Sequence, residues 1–277
     1  MGKGRHMDVS IILPLFNQLV YTKICLESLI STVDKEAKIL LINNGSTDGT
    51  GEFLRTCKGI AVIENKDNLG CAGAWNQGVR ATDSEWVLIL NNDVILSTGW
   101  LESLLKFAVE GNYDIVSPAF REGEHNYDMD NYAREFVRRM GNVARRGVAE
   151  GICFMVRRRV FDTIGLFDEN FRIGQYEDAD FFRRASKAGF HLGITGCSFI
   201  HHYGSVTQKA LNNKNGAKPY EAENRAYFRR KWGLNRWRLL REQQMNKWRA
   251  LFWRTTERVR YGHTLKEKWL DGKLRYY

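Results

Sequence analysis

The feature that most constrains this chain is an alternation of short apolar runs with helical patterns. Val9 to Pro14 reads VSIILP and precedes a helical pattern near Tyr21 to Ser31. Ala37 to Asn43 reads AKILLIN and leads through NGSTDGT to a helix near Gly49 to Cys57. Ile60 to Asn65, Trp86 to Leu90 and Tyr113 to Pro118 are further strands, with helices expected from about Gly70 and over Thr98 to Val109. Strands alternating with helices predict βαβ units, an α/β fold and a mostly parallel central sheet. Strands this apolar should be covered by helices on both faces.

The pattern fails from Arg121 to Arg146, which is charged and lacks clear periodicity, and reads as a mobile loop or a helix-containing insertion. It returns with a strand at Gly151 to Val156, a turn cluster GLFDENF, a helix over Glu177 to Gly189 and a short strand at His191 to Thr195. The first seven residues, MGKGRHM, have no apolar core of a signal peptide and read as a cloning remnant.

Charge divides the chain. Residues 219–277 hold 16 Lys and Arg against 6 Asp and Glu, so the net +10 lies there and the rest sums to zero. Five of the eight tryptophans also lie in that tail. We therefore expect a body over 8–218, with parts 8–118 and 119–218, and a basic, aromatic, helical extension over 219–277. Five scattered cysteines without a C-x-x-C pair argue against a disulfide framework or zinc site and fit a reducing, cytoplasmic compartment. No apolar run approaches bilayer length.

Polar clusters stand where the strands end. WVLIL stops on Asn91, Asn92 and Asp93. One such cluster reads as a turn. Pro14 to Asn17, Asn43 to Asp48 and Asn68 to Gly73 repeat the arrangement, however, and parallel sheets bind ligands outside their strand C-termini. Four loops meeting on one edge point to a ligand site.

In order, PLFN, NNGSTDGT, NLGCAGAWNQG, LNND, GLFDENF with YEDADFFRRASKAG, and HHYGS resemble a family 2 glycosyltransferase with the Rossmann-like GT-A fold, of the rhamnosyltransferase-like, surface-glycan type. The resemblance covers about Val9 to Thr207 and leaves out the tail. It implies a nucleotide-diphosphate sugar donor, UDP- or dTDP-linked, and a glycan or lipid-linked acceptor. Pro14, Phe16 and Asn17 would shape the first loop beside the base. Asn43, Asn44 and Asp48 would meet base and ribose, although Asn43 stands where many relatives carry Asp. Asn68, Gly70, Gly73 and Asn76 would line the nucleotide, with close packing the other reading of Gly73.

NND occupies the place of a D-x-D motif. Asn91 and Asn92 would face the nucleotide sugar, and Asp93 would bind a divalent cation, Mn2+ or Mg2+. His201 or His202 would add a nitrogen ligand. Strand alternation allows only one of them to face the site, and the spacing to Ser205 and Thr207 favours His202. Asp178 would be the general base of a one-step inverting transfer, with Glu177 holding acceptor hydroxyls or orienting the loop. The other reading of this pair is acids at a helix N-terminus. No Q-x-x-R-W motif of processive synthases is present, so transfer of one or a few sugars is expected.

In the extension Leu234, Trp237, Arg241, Met245, Trp248 and Phe252 recur at helical spacing. Such a helix packs on the body, lies on an anionic membrane at the inner face of the cell membrane, or self-associates. No nucleic-acid-binding signature accompanies the charge. Two rivals remain: a sugar-nucleotide pyrophosphorylase, which needs a Gly-rich basic loop that PLFNQ lacks, and a non-catalytic carbohydrate- or membrane-binding scaffold with a degenerate site.

Overall fold

The computed structural model describes residues 8–34, 37–204, 206 and 219–277. The N-terminal segment read as a remnant, the end of the body at 207–218, and Ser205 and Thr207 lie outside the described residues.

Four strands form the parallel heart of the sheet: β1 (Val9–Leu15), β2 (Lys38–Asn44), β3 (Ala61–Asn65) and β4 (Trp86–Leu90), in the order β3-β2-β1-β4. They alternate with α1 (Leu19–Thr32), α2 (Thr50–Leu54) and α3 (Gly70–Arg80). Strand side chains alternate between faces. Ile11, Leu13, Leu88 and Leu90 therefore pack with Leu26 and Leu29 of α1 on one side. Ile12, Val87 and Ile89 pack with Ala72, Trp75 and Val79 of α3 on the other. Gly78 lets α3 come this close, since a Cβ there would strike Ile12.

Beyond β4 the chain runs through β5 (Val94–Leu96), α4 (Trp100–Glu110) and β6 (Ile115–Glu122). The segment without periodicity contains α5 (Met129–Met140) and β7 (Ala144–Arg146). Asp128 caps α5 by accepting from the Asn131 N–H at 2.7 Å. Its stripe of Ala133, Phe136 and Met140 packs on Ile194, Phe199 and Leu265, and the charged residues between them hid that period. Next come β8 (Cys153–Arg157), α6 (Arg158–Ile164), α7 (Glu177–Lys187) and β9 (Leu192–His202). β8 enters the sheet antiparallel to both β4 and β6, so the sheet is mixed although mostly parallel. β9 is longer than the sequence suggested, because its second half gains β5 as an antiparallel neighbour and continues beside β6.

The extension is helical over α8 (Pro219–Lys231) and α9 (Arg236–Tyr261), then turns into a hairpin of β10 (Lys266–Leu270) and β11 (Lys273–Tyr276). β8 leaves β6 after Val116, and β10 pairs in parallel with Phe120 to Glu122 further along the same strand. The hairpin escaped the sequence reading because β10 joins the sheet only through β6, a strand more than a hundred residues earlier.

A buried ion pair ties α9 to the body. Arg145 donates to both oxygens of Glu257 at 2.8 Å, and the Leu265 N–H donates to the same carboxylate. Removing one partner of a buried pair leaves the other charge desolvated. Glu257→Ala should therefore lower stability by about 3–5 kcal/mol, read as a shift of the urea midpoint.

Candidate active site

Loops from separate elements meet at the C-terminal edge of the parallel strands and enclose a cavity of about 320 Å3. Pro14 and Phe16 reach it from the end of β1, Asn44 from β2, Asn68 from the turn before α3, and Asn91, Asn92 and Asp93 from the end of β4. Glu177 and Asp178 at the start of α7 also line it, and His202 at the end of β9 does so beside Asp93. Ten of the residues singled out from the sequence thus share one cleft.

The others do not line it. Asn17 and Asp48 stitch loops together. The Asn17 side chain accepts from the Thr47 N–H at 2.7 Å, and Asp48 accepts from the Leu19 N–H at 2.9 Å, which places a carboxylate at the start of α1. Asn43 donates to Glu64 at 2.6 Å and accepts from the Ser46 N–H. Asn76 is buried and bonds the backbone of Phe167 in both directions. Gly70 adopts φ +76°, where a side chain would meet the Ile173 backbone, and Gly73 lies against Leu69. His201 faces away from the cavity, accepting from or donating to the Tyr127 hydroxyl at 2.9 Å within a cluster that includes His125 and Tyr203.

The two histidines are thus separated by strand alternation, and His202 is the one beside Asp93. Its Nε2 lies 3.3 Å from Asp93 Oδ2, and its Nδ1 lies 3.6 Å from Glu122. Burial pulls the imidazolium pKa down, but the Asp93 and Glu122 carboxylates more than offset this and raise it to about 9. Burial likewise works against the Asp93 carboxylate, and the His202 charge outweighs it, so the Asp93 pKa is lowered. Both ring nitrogens are buried without a well-directed hydrogen bond. An oxygen and a nitrogen donor this close, with orphaned lone-pair positions, suit a divalent cation that would take the place of the ring proton. Among the described residues no group of three or more His, Cys, Asp or Glu is arranged as a metal cluster.

At the start of α7, burial first and then the Asp178 charge push the Glu177 carboxyl up to about 8. Its Oε2 is buried without a partner. Asp178 is also raised, by burial foremost, with the Glu150 charge adding to it and the Ala179 N–H opposing. Asp178 Oδ2 rests against Gly151, where any Cβ would strike it.

Several residues at the site were not legible in the sequence. Trp75 lines the cavity with its Nε1–H buried and unpartnered. Ile173, Gln175 and Tyr176 all have positive φ just before the acids, an uncommon conformation for such side chains. Asn224 of α8 holds that loop: it accepts from the Arg172 N–H at 3.0 Å and donates to the carbonyls of Arg172 and Gly174 at 2.9 Å. Lys266 pairs with Glu150, and Lys268 with Glu122 at 2.6 Å, so β10 brings two cations to the rim. Arg184 is occupied within its own neighbourhood, by Asp180 and the carbonyls of Ile164 and Leu166.

The sequence pattern described as Glycosyl transferase family 2 matches residues 10–165. An uncharacterized glycosyltransferase of Rickettsia bellii is 28% identical over 170 residues, 60% of this chain but only 24% of that protein, so this chain spans about a quarter of that relative. Glycosyltransferase AglE of Haloferax volcanii is 24% identical over 249 residues, covering 84% of this chain and 80% of that one. Among solved structures, GalNAc-T7 with UDP, GalNAc and Mn2+ superposes with a TM-score of 0.60 at 15% identity, over 73% of this chain and 44% of the other, which is a likeness of fold.

The raised Glu177 pKa makes stability depend on pH. Its protonated form is the one the fold prefers, so this contribution is complete below the ordinary value of 4.5 and lost as pH rises through about 8. Glu177→Gln mimics the protonated form. Melting curves from pH 5 to 9 should show the variant overtaking the native protein by at least about 3 °C at the alkaline end, and a gap independent of pH would refute the assignment.

Proposed function

Because the chain belongs to glycosyl transferase family 2, we propose that it transfers a sugar from a nucleotide-diphosphate sugar to a hydroxyl of a glycan or glycoconjugate, inverting the anomeric centre with the help of a divalent cation. The observation that carries this reading is that Asp93 and Asp178, far apart in sequence, line one cavity.

Asp93 and His202 would hold the cation, which would offset the negative charge gathering on the departing diphosphate. A nitrogen donor beside a carboxylate favours Mn2+ over Mg2+, and the structural neighbour GalNAc-T7 was solved with Mn2+. Asp178 takes the proton of the acceptor hydroxyl. That oxygen bonds to the anomeric carbon from the face opposite the nucleotide, the bond from that carbon to the diphosphate oxygen breaks, and the nucleoside diphosphate leaves. A carboxylate whose pKa is raised toward the working pH is a better base for this step than an ordinary one. Pro14, Phe16, Asn44, Asn68, Asn91 and Asn92 line the donor end. Asn17, Asn43, Asp48, Gly70, Gly73 and Asn76 act indirectly, by holding the loops in shape. Trp75 Nε1–H and Glu177 Oε2, both buried without a partner, are suited to sugar hydroxyls.

Of the finer assignments, a UDP- or dTDP-linked hexose or deoxyhexose and a surface-glycan acceptor rest on the order of sequence motifs, and non-processive transfer rests on the missing Q-x-x-R-W motif. All five cysteines are free thiols, which suits work on the cytoplasmic side of a membrane.

Two measurements test the proposal. EDTA should abolish turnover of a responsive nucleotide sugar and added Mn2+ should restore it; full activity in EDTA refutes the cation's part. Asp178→Asn should bind the nucleoside diphosphate as tightly as the native protein while transfer falls by at least about a hundredfold. Equal loss of both would mean that Asp178 supports the site structurally rather than acting as base.

A further inference from the structure

The long helix α9 presents to solvent a face that the catalytic reading does not use. Trp237, Trp248 and Phe252 are 78%, 64% and 64% exposed, and Leu240, Met245 and Val259 are exposed with them. At about 100° per residue these six side chains fall within an arc of about 140°. Arg236, Lys247 and Arg254 run along one edge of the arc, and Arg238, Arg249 and Arg260 along the other, all exposed. The opposite side of the helix carries Leu239 and Trp253, half-buried, and Glu257, buried in its pair with Arg145. The ion pair therefore holds α9 with its apolar face outward. Leaving three large aromatic side chains in water along one line is costly unless something covers them.

We propose that this face is a docking surface for an anionic lipid bilayer, on which α9 lies parallel to the membrane plane. Charge complementarity selects this occupant. Two basic edges flanking an aromatic strip match a surface with an apolar interior and anionic headgroups. A second copy would bring the same cations against these and repel. A nucleic acid would satisfy the cations but leave the apolar strip without a partner. No helix among the described residues is long and apolar enough to cross a membrane, and α9 itself carries cations along both edges of its apolar strip, which suits lying on a surface. With its 26 residues, α9 extends about 39 Å, enough to lay the whole strip on one surface. Its first turns also pack around Tyr176, next to the acids of the cavity, through a hollow lined by Arg225, Phe228 and Glu242. A membrane-bound acceptor would thus be drawn to the acidic side of the site.

The test uses the full chain and vesicles of phosphatidylcholine with one third phosphatidylglycerol, compared with phosphatidylcholine alone. The native protein should sediment with the anionic vesicles, at least about tenfold more than with the neutral ones, with a blue shift of tryptophan emission and release by high salt. The combined variant Trp237→Ser, Trp248→Ser, Phe252→Ser should lose at least about tenfold of this binding, as should Lys247→Glu with Arg254→Glu. Both should keep the native melting temperature, because these side chains are exposed, and the native turnover of a soluble donor. The proposal is overturned if the native protein ignores anionic vesicles, or if the aromatic variant binds them undiminished. It is equally overturned if the native protein sediments as a dimer that the aromatic variant converts to monomer, since the face then belongs to a second copy. Because vesicle binding is read without turnover, its outcome stands apart from that of the catalytic assays.

Discussion

The rest of the site depends on how one cleft tolerates five carboxyl groups. Asp93, Glu122, Glu150, Glu177 and Asp178 crowd a half-enclosed space where water screens poorly. Left alone, such a cluster would drive the loops apart or take up protons. Each member is answered differently. Asp93 and Glu122 share the His202 imidazolium, Glu122 also has Lys268, and Glu150 has Lys266. Burial and the neighbouring Asp178 charge push the Glu177 carboxyl up to about 8, and burial raises the Asp178 carboxyl as well.

This compensation joins the basic extension to the body. Lys266 and Lys268 arrive on β10, which is a strand of the central sheet. Lys231 of α8 pairs with Asp168 and Asp180, and Trp232 donates to Asp180 at 3.0 Å. Asn224 of the same helix holds the left-handed turn ahead of Glu177. Part of the tail's positive charge thus neutralises acids of the site. The rest stays on α9 and is turned outward, where it borders the aromatic strip. One stretch of sequence serves two purposes because its helix faces and strand point in different directions.

The parallel core was readable because β1, β2 and β4 carry their own signal. Uninterrupted apolar runs ending in Asn or Asp need no partner to be recognised. The gathering of Pro14, Asn44, Asn68, Asn91 and Asp93 followed from topology, since parallel strands end on one edge. α5 was hidden by the arginines and glutamate between its three apolar contacts, and β10 by its dependence on a remote neighbour. Trp75, Gly151 and Asn224 gave no signal, as a tryptophan, a glycine and an asparagine are ordinary in a helix or turn. Their roles come from what stands opposite them.

By itself, then, the sequence determined the alternating α/β plan, the family and the set of acids and amides brought to the strand ends, because these arise from local periodicity and from residue types. Only the tertiary structure decided which histidine meets Asp93, that Glu177 is buried beside Asp178 with an unpartnered oxygen, and that a basic tail completes the sheet. Those outcomes are set by burial and by distances between segments far apart in the chain, and local pattern carries no record of either.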